Sequence, residues 1–261
     1  MEKVRLSILV LTRNEEQMIE NCLKSAQGLG EVIVVDDCSQ DRTLEIVRKY
    51  TDRIFIHKMV DFASQRNFAL KKARGEWVFY LDADERISPP LREEILSVIS
   101  CQPGVSAFFI KRRNFFLGRE MYLDKVHRLF WKRSLQGWRG KIHESPVFAG
   151  KTAELKNPLL HLTHRDIFSM LRKTLEWSEI EARMRLKAGH PPVSWWRILR
   201  VMLTEFCYQF WGKKIFRFGT AGMIEGIFQV FSLFITYSRL WEMQRREGLK
   251  ETYEKIDREF A

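Results

Sequence analysis

Two carboxylates two residues apart, Asp82 and Asp84, follow the apolar run Trp77 to Leu81. At the end of a buried strand these charges repel each other unless a cation lies between them, and Mg²⁺ or Mn²⁺ prefers oxygen ligands of this kind. Such an ion also takes phosphate oxygens from a substrate, because two carboxylates cannot fill an octahedral shell. The pair therefore predicts a divalent cation and a phosphorylated ligand. The structural alternative is a turn in which the aspartates only cap a helix.

Polar residues also follow the first two apolar runs of the chain. Thr12-Arg13-Asn14-Glu15 comes directly after the first run, and Asp36-Asp37-Cys38-Ser39-Gln40-Asp41 comes after the second. In an open α/β sheet, ligands bind outside the carboxyl ends of the strands. Three polar strand ends that converge on one edge predict a site for a polar ligand and a metal ion.

A parallel sheet is needed to bring these segments together, and the first hundred residues have the corresponding pattern. Short apolar runs alternate with segments whose apolar residues repeat at helical spacing, which is typical of βαβ units. The four predicted strands are Leu6 to Leu11, Glu31 to Val35, Arg53 to His57 and Trp77 to Leu81. Pro89-Pro90 opens a further helix, Leu91 to Ile99, because proline is tolerated in a first helical turn.

The pattern changes at Val105, after which longer alternating runs predict antiparallel strands. Charge changes at the same place. Residues 1–104 carry 15 Lys and Arg against 17 Asp and Glu, residues 105–180 carry 15 against 7, and residues 181–261 carry 14 against 9. The net charge of +11 therefore lies in the later part of the chain. We expect a chemistry module followed by a basic module that seeks an anionic surface.

A dense group of basic residues lies in the middle of the chain. It comprises Lys111, Arg112, Arg113, Arg119, Lys125, Arg128, Lys132 and Arg133. We interpret this group either as a solvated face or as a surface that holds an anionic acceptor near the cleft.

The C-terminal region has four of the eight tryptophans between Ser194 and Trp241, yet its longest uncharged run, Gly226 to Ser238, has 13 residues. A membrane-spanning helix needs about 20 predominantly apolar residues. We therefore expect this region to contact an anionic membrane surface peripherally, or to pack as an apolar helix pair against the first domain. The basic residues that would meet the headgroups are Lys213, Lys214, Arg217, Arg239, Arg245 and Arg246.

Two features predict a cytoplasmic protein. The first apolar run, closed by Arg13, is too short for a signal-peptide core. The four cysteines, Cys22, Cys38, Cys101 and Cys207, are far apart and have neither metal-site nor disulfide spacing, which favours a reducing compartment. Together with the basic C-terminal region, this predicts a cytoplasmic protein that associates with the inner face of the cytoplasmic membrane.

Four ordered motifs within residues 4–90 extend the argument: LSILVLTRNE, VIVVDDCSQDRT, QRNFALKKARGEW and VFYLDADE. In this order they resemble the family 2 glycosyltransferases of the GT-A fold. The resemblance implies a nucleotide-sugar donor and an α/β fold, a mainly parallel sheet flanked by helices, here with a helical C-terminal extension. It implies Mg²⁺ or Mn²⁺ as cofactor. The implied donor-binding residues are Thr12, Asn14, Asp37, Arg66, Asn67 and Asp82, and the implied metal ligands are Asp82, Asp84 and His161.

The later motifs DKVHRLFWKR, GWRGKIHE and HLTHRD narrow the resemblance to bacterial enzymes that add glucose or related sugars to the lipopolysaccharide inner core. This branch implies a glycan or glycolipid acceptor, and we favour a UDP-sugar as donor. It also places a late histidine, His161, near the leaving diphosphate, where an imidazole can complete a Mn²⁺ shell.

Displacement of a nucleoside diphosphate from an anomeric carbon requires a base for the acceptor hydroxyl and neutralisation of the departing charge. Glu144 is the first candidate for the base, because a carboxylate in the acceptor-side half can face the metal site across the cleft, and His143 is the second. We therefore predict an inverting, metal-dependent glycosyltransferase. Its catalytic domain spans residues 1–165, with a nucleotide-sugar half in 1–104 and an acceptor-side half in 105–165, and residues 166–261 form the helical region.

Two other classes stay open. A nucleotidyltransferase would share the phosphate and metal site, but it would be expected to have a glycine-rich basic loop after the first strand, and Leu11 to Glu15 contains no glycine. A non-enzymatic module would bind nucleic acid through the basic, aromatic second half of the chain. Its basic residues are dispersed and lack the spacing of known nucleic-acid motifs, so we expect no nucleic-acid partner.

Overall fold

The computed structural model describes residues 4–101, 104–140 and 144–260. The strands are β1 (Leu6–Thr12), β2 (Glu31–Asp36), β3 (Ile54–Ile56), β4 (Trp77–Asp82), β5 (Glu85–Ile87), β6 (Ala107–Phe116), β7 (Arg119–Trp131), β8 (Leu135–Arg139), β9 (Ser145–Phe148), β10 (Thr152–Glu154) and β11 (Leu159–His164). The α-helices are α1 (Ile19–Ala26), α2 (Thr43–Val47), α3 (Phe62–Lys72), α4 (Pro89–Cys101), α5 (Ile167–Lys187), α6 (Trp195–Cys207) and α7 (Gly219–Phe260).

In the described residues, one sheet has the strand order β3-β2-β1-β4-β7-β6-β11-β5, with β10 paired to β6. Strands β3, β2, β1 and β4 are parallel, so their carboxyl ends lie at one edge. Strand β7 pairs antiparallel with β4, and β11 pairs antiparallel with β5. Strands β8 and β9 form a separate antiparallel pair. The sheet therefore combines a parallel half that carries the polar strand ends with a half that contains antiparallel strands.

Alternation along β1 divides the core between the two faces of the sheet. Ile8 and Val10 pack in a cluster with the apolar stripes of α1 and α4, whereas Leu9 packs in a second cluster with α3. Successive side chains of a strand point to opposite faces, so a strand covered on both sides has no polar alternation. This is why the run Leu6 to Leu11 is apolar except at Ser7 and is buried from Leu6 as far as Val10.

The four predicted strands are confirmed as β1 to β4, with ends that differ by one residue or less. The helix predicted at Leu91 to Ile99 is α4, and the alternating runs after Val105 are β6 and β7. The short strand β5, which immediately follows the Asp82-Ala83-Asp84 segment, was not predicted, because only two residues separate it from β4.

The chain divides into two compact units. The first consists of residues 1–115 and 122–163, and the second of residues 116–121 and 164–261. The second unit has a small core of Ala182, Val193, Tyr237 and Leu240. Gly226 lets α7 approach the preceding turn closely, since a Cβ there would lie 1.8 Å from Ile215 Cδ1.

Within the described residues, one helical stretch, Ile215–Phe260, is long and apolar enough to cross a membrane by length and composition. It contains α7 and the 3₁₀ turn Ile215–Phe218 that precedes this helix. Few of its side chains are buried, among them Tyr237 and Leu240.

Candidate active site

The carboxyl ends of β1 and β2 meet at the parallel edge of the sheet. The backbone N–H of Asp37 donates to the carbonyl oxygen of Thr12 at 2.9 Å. The buried carboxylate of Asp37 accepts from the backbone N–H of Met59 at 2.8 Å and pairs with the Arg13 guanidinium at 3.1 Å. Thr12 is also buried, and its Oγ1 has no hydrogen-bond partner among the described residues. The first two strands thus place a fixed carboxylate and an unsatisfied hydroxyl together.

Asn14 shapes the two loops that follow these strands. Its backbone has a φ of 52°, in the left-handed region that asparagine tolerates better than most residues. Its Oδ1 accepts from the backbone N–H of Gln40, and its own N–H donates to Ser39 Oγ, both at 2.8 Å. Asn14 therefore ties the loop after β1 to the loop after β2.

Helix α3 brings Arg66 and Asn67 to the same edge. The helix begins with a reciprocal capping box, in which Asp61 accepts from the backbone N–H of Ser64 at 2.6 Å and Ser64 Oγ accepts from the backbone N–H of Asp61 at 3.3 Å. Asn67 donates to the Trp138 carbonyl at 2.9 Å and accepts from the Trp138 N–H at 2.8 Å. Both ends of the Asn67 amide are engaged, so this residue holds strand β8 beside α3.

Arg66 is the centre of this edge. Its guanidinium is buried and lies over the rings of Trp138, at 4.7 Å, and Tyr80, at 5.4 Å. Nε donates to Glu144 Oε1 at 3.2 Å, and Nη2 lies 3.5 Å from Asp82 Oδ1. Nη1 is buried and has no hydrogen-bond partner in the described part of the chain. The two aromatic rings therefore hold the Arg66 guanidinium, which pairs with both Asp82 and Glu144 and keeps Nη1 as a donor for a ligand.

Asp82 belongs to a buried charge cluster that the sequence did not reveal. The Nη2 of Arg128 contacts Asp82 Oδ2 and, at 2.5 Å, Glu85 Oε1. Glu85 is fully buried, accepts from Arg112 Nη1 at 3.2 Å and accepts from the Asp82 backbone N–H at 3.0 Å. Burial opposes ionisation of Asp82, but the charges of Arg128 and Arg66 outweigh it and lower the pKa of this carboxyl well below its usual range. Asp82 is therefore ionised at neutral pH.

His161 and Asp84 form a second group at this edge. The two side chains face each other with His161 Nε2 3.4 Å from Asp84 Oδ2. On the other side of the ring, His161 Nδ1 lies 2.6 Å from Asn114 Oδ1. Burial opposes protonation of the imidazole, but the hydrogen bond and charge of Asp84 dominate and raise the pKa of His161.

The predicted metal ligands are only partly brought together. Among the residues that the structure describes, there is no group of three or more His, Cys, Asp or Glu side chains that could hold a metal ion. Asp82 is ion-paired to Arg66 and Arg128, whereas Asp84 and His161 are adjacent. One carboxylate and one imidazole form a donor set that suits Mn²⁺ or Mg²⁺ when phosphate and water oxygens supply the rest of the shell.

Of the two candidates for the catalytic base, one lies in the part of the chain that the structure describes. Glu144 is half-buried, follows β8 and pairs with Arg66, which places it at the edge of the sheet together with Asp82. His143 lies outside the described residues. Glu144 therefore remains the base candidate with a defined position.

The basic group in the middle of the chain does not form one solvated face. Lys125 is exposed and Lys111 is partly buried, and both pair with Glu154, but Arg112 and Arg128 turn inward to the charge cluster. A signal for Arg128 is present in the sequence, because on a strand it shares a face with Phe130, two residues away, and Phe130 is fully buried. Asn114 has the same signal, because it shares a face of β6 with the buried Phe116, and Glu85 has it through the buried Ile87 on β5.

Comparison with known proteins gives a family for this arrangement. Residues 7–176 match the family model described as "Glycosyl transferase family 2". The chain is similar to the lipopolysaccharide core biosynthesis glycosyltransferase LpsC of Rhizobium meliloti, with 25% identity over 263 residues that cover 95% of each chain.

Two solved structures resemble the fold of this chain. One is S. aureus TarS 1-349 in complex with UDP-GlcNAc, with a TM-score of 0.47, 15% identity and coverage of 93% of this chain and 92% of the other. The second is the mannosyltransferase PcManGT from Pyrobaculum calidifontis in complex with GDP-Man and Mn²⁺, with a TM-score of 0.48, 15% identity and coverage of 98% and 84%.

Proposed function

The chain belongs to glycosyltransferase family 2, as its resemblance predicted and as the match over residues 7–176 confirms, and on this premise we propose its donor, acceptor and mechanism. Family membership confirms the predicted GT-A fold and an enzymatic function, which excludes the non-enzymatic module. We propose transfer of a sugar from a nucleoside diphosphate donor, with a UDP-sugar favoured, to a hydroxyl of a cell-envelope glycan or lipid. The similarity to LpsC over nearly the whole of both chains supports the lipopolysaccharide core as acceptor class.

One observation carries the proposal: Arg66 lies between Asp82, at the end of β4, and Glu144, after β8. The end of β4 is where a parallel sheet binds ligands, so it corresponds to the donor side. Glu144 comes from the acceptor-side half of the first unit. A single buried guanidinium thus brings donor-side and acceptor-side carboxylates to one place, which is what transfer between two substrates requires.

On the donor side, the residues divide into those with free bonding capacity and those that build the site. Thr12 Oγ1 and Asp37 supply a hydroxyl and a carboxylate for the nucleoside, and Asn14 fixes the loops around them. Arg66 Nη1, buried without a partner in the described residues, supplies a donor for a diphosphate oxygen. Asn67 acts through strand β8.

A divalent cation fits the donor set at this edge. The carboxylate of Asp84 and the imidazole of His161 face each other, with His161 Nε2 3.4 Å from Asp84 Oδ2, and oxygen and imidazole ligands suit Mg²⁺ or Mn²⁺. We assign Asp84 and His161 as the protein ligands of Mg²⁺ or Mn²⁺. When bound, the ion neutralises charge on the departing diphosphate.

Glu144 is proposed as the general base. Its Oε1 is held by Arg66 Nε, which orients the carboxylate while the second oxygen can accept the proton of the acceptor hydroxyl. Attack from the face opposite the diphosphate inverts the anomeric configuration. A nucleotidyltransferase is less well supported, because the turn after β1 has Asn14 rather than glycine in the left-handed conformation.

Ligand-dependent thermal stability tests the donor and cation assignments. UDP or a UDP-sugar with Mn²⁺ is expected to raise Tm, because a ligand at about 100 times its Kd stabilises the fold by about 2.7 kcal/mol. Asp84→Ala is expected to abolish the Mn²⁺-dependent part of the shift and sugar transfer. Asp52→Ala, at an exposed aspartate, is the matched control. A Mn²⁺-dependent shift of wild-type size in Asp84→Ala would refute the cation site.

We also propose that the second unit contacts the anionic inner face of the cytoplasmic membrane. Helix α6 has no buried residue, and it exposes an apolar stripe at helical spacing, consisting of Trp195, Leu199, Leu203 and Phe206. Arg200 flanks the stripe, and Lys213, Lys214 and Arg217 lie in the turns beyond it. Exposed tryptophan and leucine next to basic side chains is the composition of a helix in the plane of a membrane interface.

Vesicle flotation tests the membrane contact. We expect binding to phosphatidylcholine vesicles only when they contain phosphatidylglycerol, and release by high salt. Leu203→Ser is expected to weaken binding by about 10–100-fold, since a buried leucine contributes about 1.5–3 kcal/mol and about 1.4 kcal/mol is a factor of ten. Leu175→Ser, at a leucine of α5 that is also exposed, is the control. Self-association through α6, or equal binding to neutral vesicles, would refute an anionic membrane as the partner.

A further inference from the structure

The ring of His161 has two polar neighbours on opposite sides, and only one of them was anticipated. Asp84 lies near Nε2, and Asn114 Oδ1 lies 2.6 Å from Nδ1. Asn114 is on β6 and His161 on β11, which are neighbours in the sheet. The Asn114 side chain is nearly inaccessible to water, so its amide must satisfy its hydrogen bonds inside the protein.

The orientation of the Asn114 amide follows from its other contacts. Its Nδ2 donates to the carbonyl oxygen of Tyr122 at 2.8 Å and to Asp124 Oδ1 at 3.1 Å. Both neighbours are acceptors, so the amide nitrogen must face them and the amide oxygen must face His161. Asp124 is itself fixed by two bonds from Arg112. The amide therefore cannot rotate without placing oxygen against oxygen.

We infer that Asn114 is a positioning residue that holds His161 in the tautomer with a proton on Nδ1, so that Nε2 is presented to Asp84 as a ligand for a divalent cation. Both neighbours of the ring can only accept, and the neutral ring has one proton; the Asn114 contact, at 2.6 Å, is the shorter one, whereas Asp84 lies 3.4 Å from Nε2, so the proton belongs on Nδ1. A ligating histidine is commonly fixed in this way by a bond from its other nitrogen, and loss of such a partner typically costs about 10–100-fold in metal affinity. The inference rests on the proposed cation site.

The tautomer is measurable without metal, nucleotide or acceptor. Long-range ¹H–¹⁵N correlation reports which ring nitrogen of each histidine is protonated, and it is recorded from about pH 9 upward until the ¹⁵N shifts of the rings no longer change with pH, so that each ring is neutral. His161→Gln identifies the signals of His161 by their loss. We expect Nδ1 to be protonated in the wild-type protein. Protonation at Nε2 would overturn the inference whether or not any variant folds.

Asn114→Leu then tests the consequence. Without an acceptor at Nδ1, we expect the ring to shift to the Nε2-protonated form, and the affinity for Mn²⁺, measured by the signal of free Mn²⁺ in electron paramagnetic resonance, to fall about 10–100-fold. Thr163→Val is the matched control, because it removes a neighbouring bond on β11, to the Phe115 carbonyl, without touching His161. An unchanged tautomer or unchanged Mn²⁺ affinity in Asn114→Leu would overturn the inference.

These outcomes are separable from failure of the proposed function. An Nδ1-protonated ring and a weakened Mn²⁺ site in Asn114→Leu support the inference even if no sugar is transferred. In that case the assignment of donor and acceptor fails, while the positioning role of Asn114 stands.

Discussion

Replacement of Arg128 by methionine removes one buried guanidinium from between two carboxylates while it keeps most of the side-chain volume. Arg128 is 4% exposed, and its Nη2 contacts Asp82 and, at 2.5 Å, Glu85 Oε1. Glu85 is 0% exposed, so its carboxylate cannot reach water to replace the lost contact. The variant therefore leaves an under-compensated charge in the core of the first unit.

The expected size of the effect follows from the charges that remain. Loss of one partner of a buried pair costs about 3–5 kcal/mol. Arg112 still donates to Glu85 at 3.2 Å, and Arg66 still lies 3.5 Å from Asp82, so we expect the lower end of this range, about 3 kcal/mol. For a unit of this size, about 2–4 °C per kcal/mol gives a fall in Tm of about 6–12 °C.

Scanning calorimetry measures this effect with two comparisons. Arg119→Met is the matched control, because Arg119 is exposed at the start of the same strand. The double variant Arg128→Met with Glu85→Gln is expected to recover more than half of the lost Tm, because it removes the buried charge that causes the destabilisation. A single variant as stable as Arg119→Met would show that Arg128 does not neutralise this cluster. A double variant no more stable than the single one would attribute the loss to packing.

Two further predictions concern the base and the acid stability of the site. Glu144→Gln keeps an acceptor for Arg66 Nε, so we expect nucleotide affinity close to that of the wild type and a fall in kcat of about 10²-fold or more. Glu154→Gln, at an exposed glutamate, is the control. Steady-state kinetics that show an unchanged kcat in Glu144→Gln would assign the base to another residue. Burial opposes ionisation of Asp124, but the hydrogen bond and charge of Arg112 dominate and lower the pKa of Asp124. The ionised Asp124 therefore stabilises the fold above the pKa of about 3.9 that aspartate has in the unfolded chain, and this stabilisation is lost as the pH falls through the lower pKa of the folded state. Asp124→Asn should therefore be less stable at neutral pH and should lose less stability on acidification, as urea midpoints at several pH values would reveal; parallel pH profiles would contradict this.

The positions of the strands and of the polar strand ends could be predicted because both depend on the types of residues that are adjacent in the chain. The run Leu6 to Leu11 is apolar at every position except Ser7, which is the pattern of a strand covered on both faces, and β1 lies there. Parallel strands then bring their carboxyl ends to one edge without further information. The convergence of Thr12, Asp37 and Asp82 follows from this, and the order of the four motifs predicted the family that the comparison confirmed.

The partners of the functional side chains could not be predicted in this way. Arg128 pairs with Asp82 across 46 positions, His161 with Asn114 across 47, and Arg66 with Glu144 across 78. The first two pairs depend on which strands are neighbours in the sheet and on their register, and the third depends on the packing of α3 beside β8. A shift of one residue would turn Arg128 to the opposite face of β7.

The sequence by itself determined the class of the fold and the edge at which the chemistry lies, because local periodicity and the order of strands are properties of a continuous chain. The tertiary structure decided that Asp82 faces two guanidinium groups while Asp84 faces an imidazole. The two carboxylates lie two residues apart in one short segment, and they differ because β7 and α3 bring guanidinium groups to Asp82 whereas β11 brings an imidazole to Asp84.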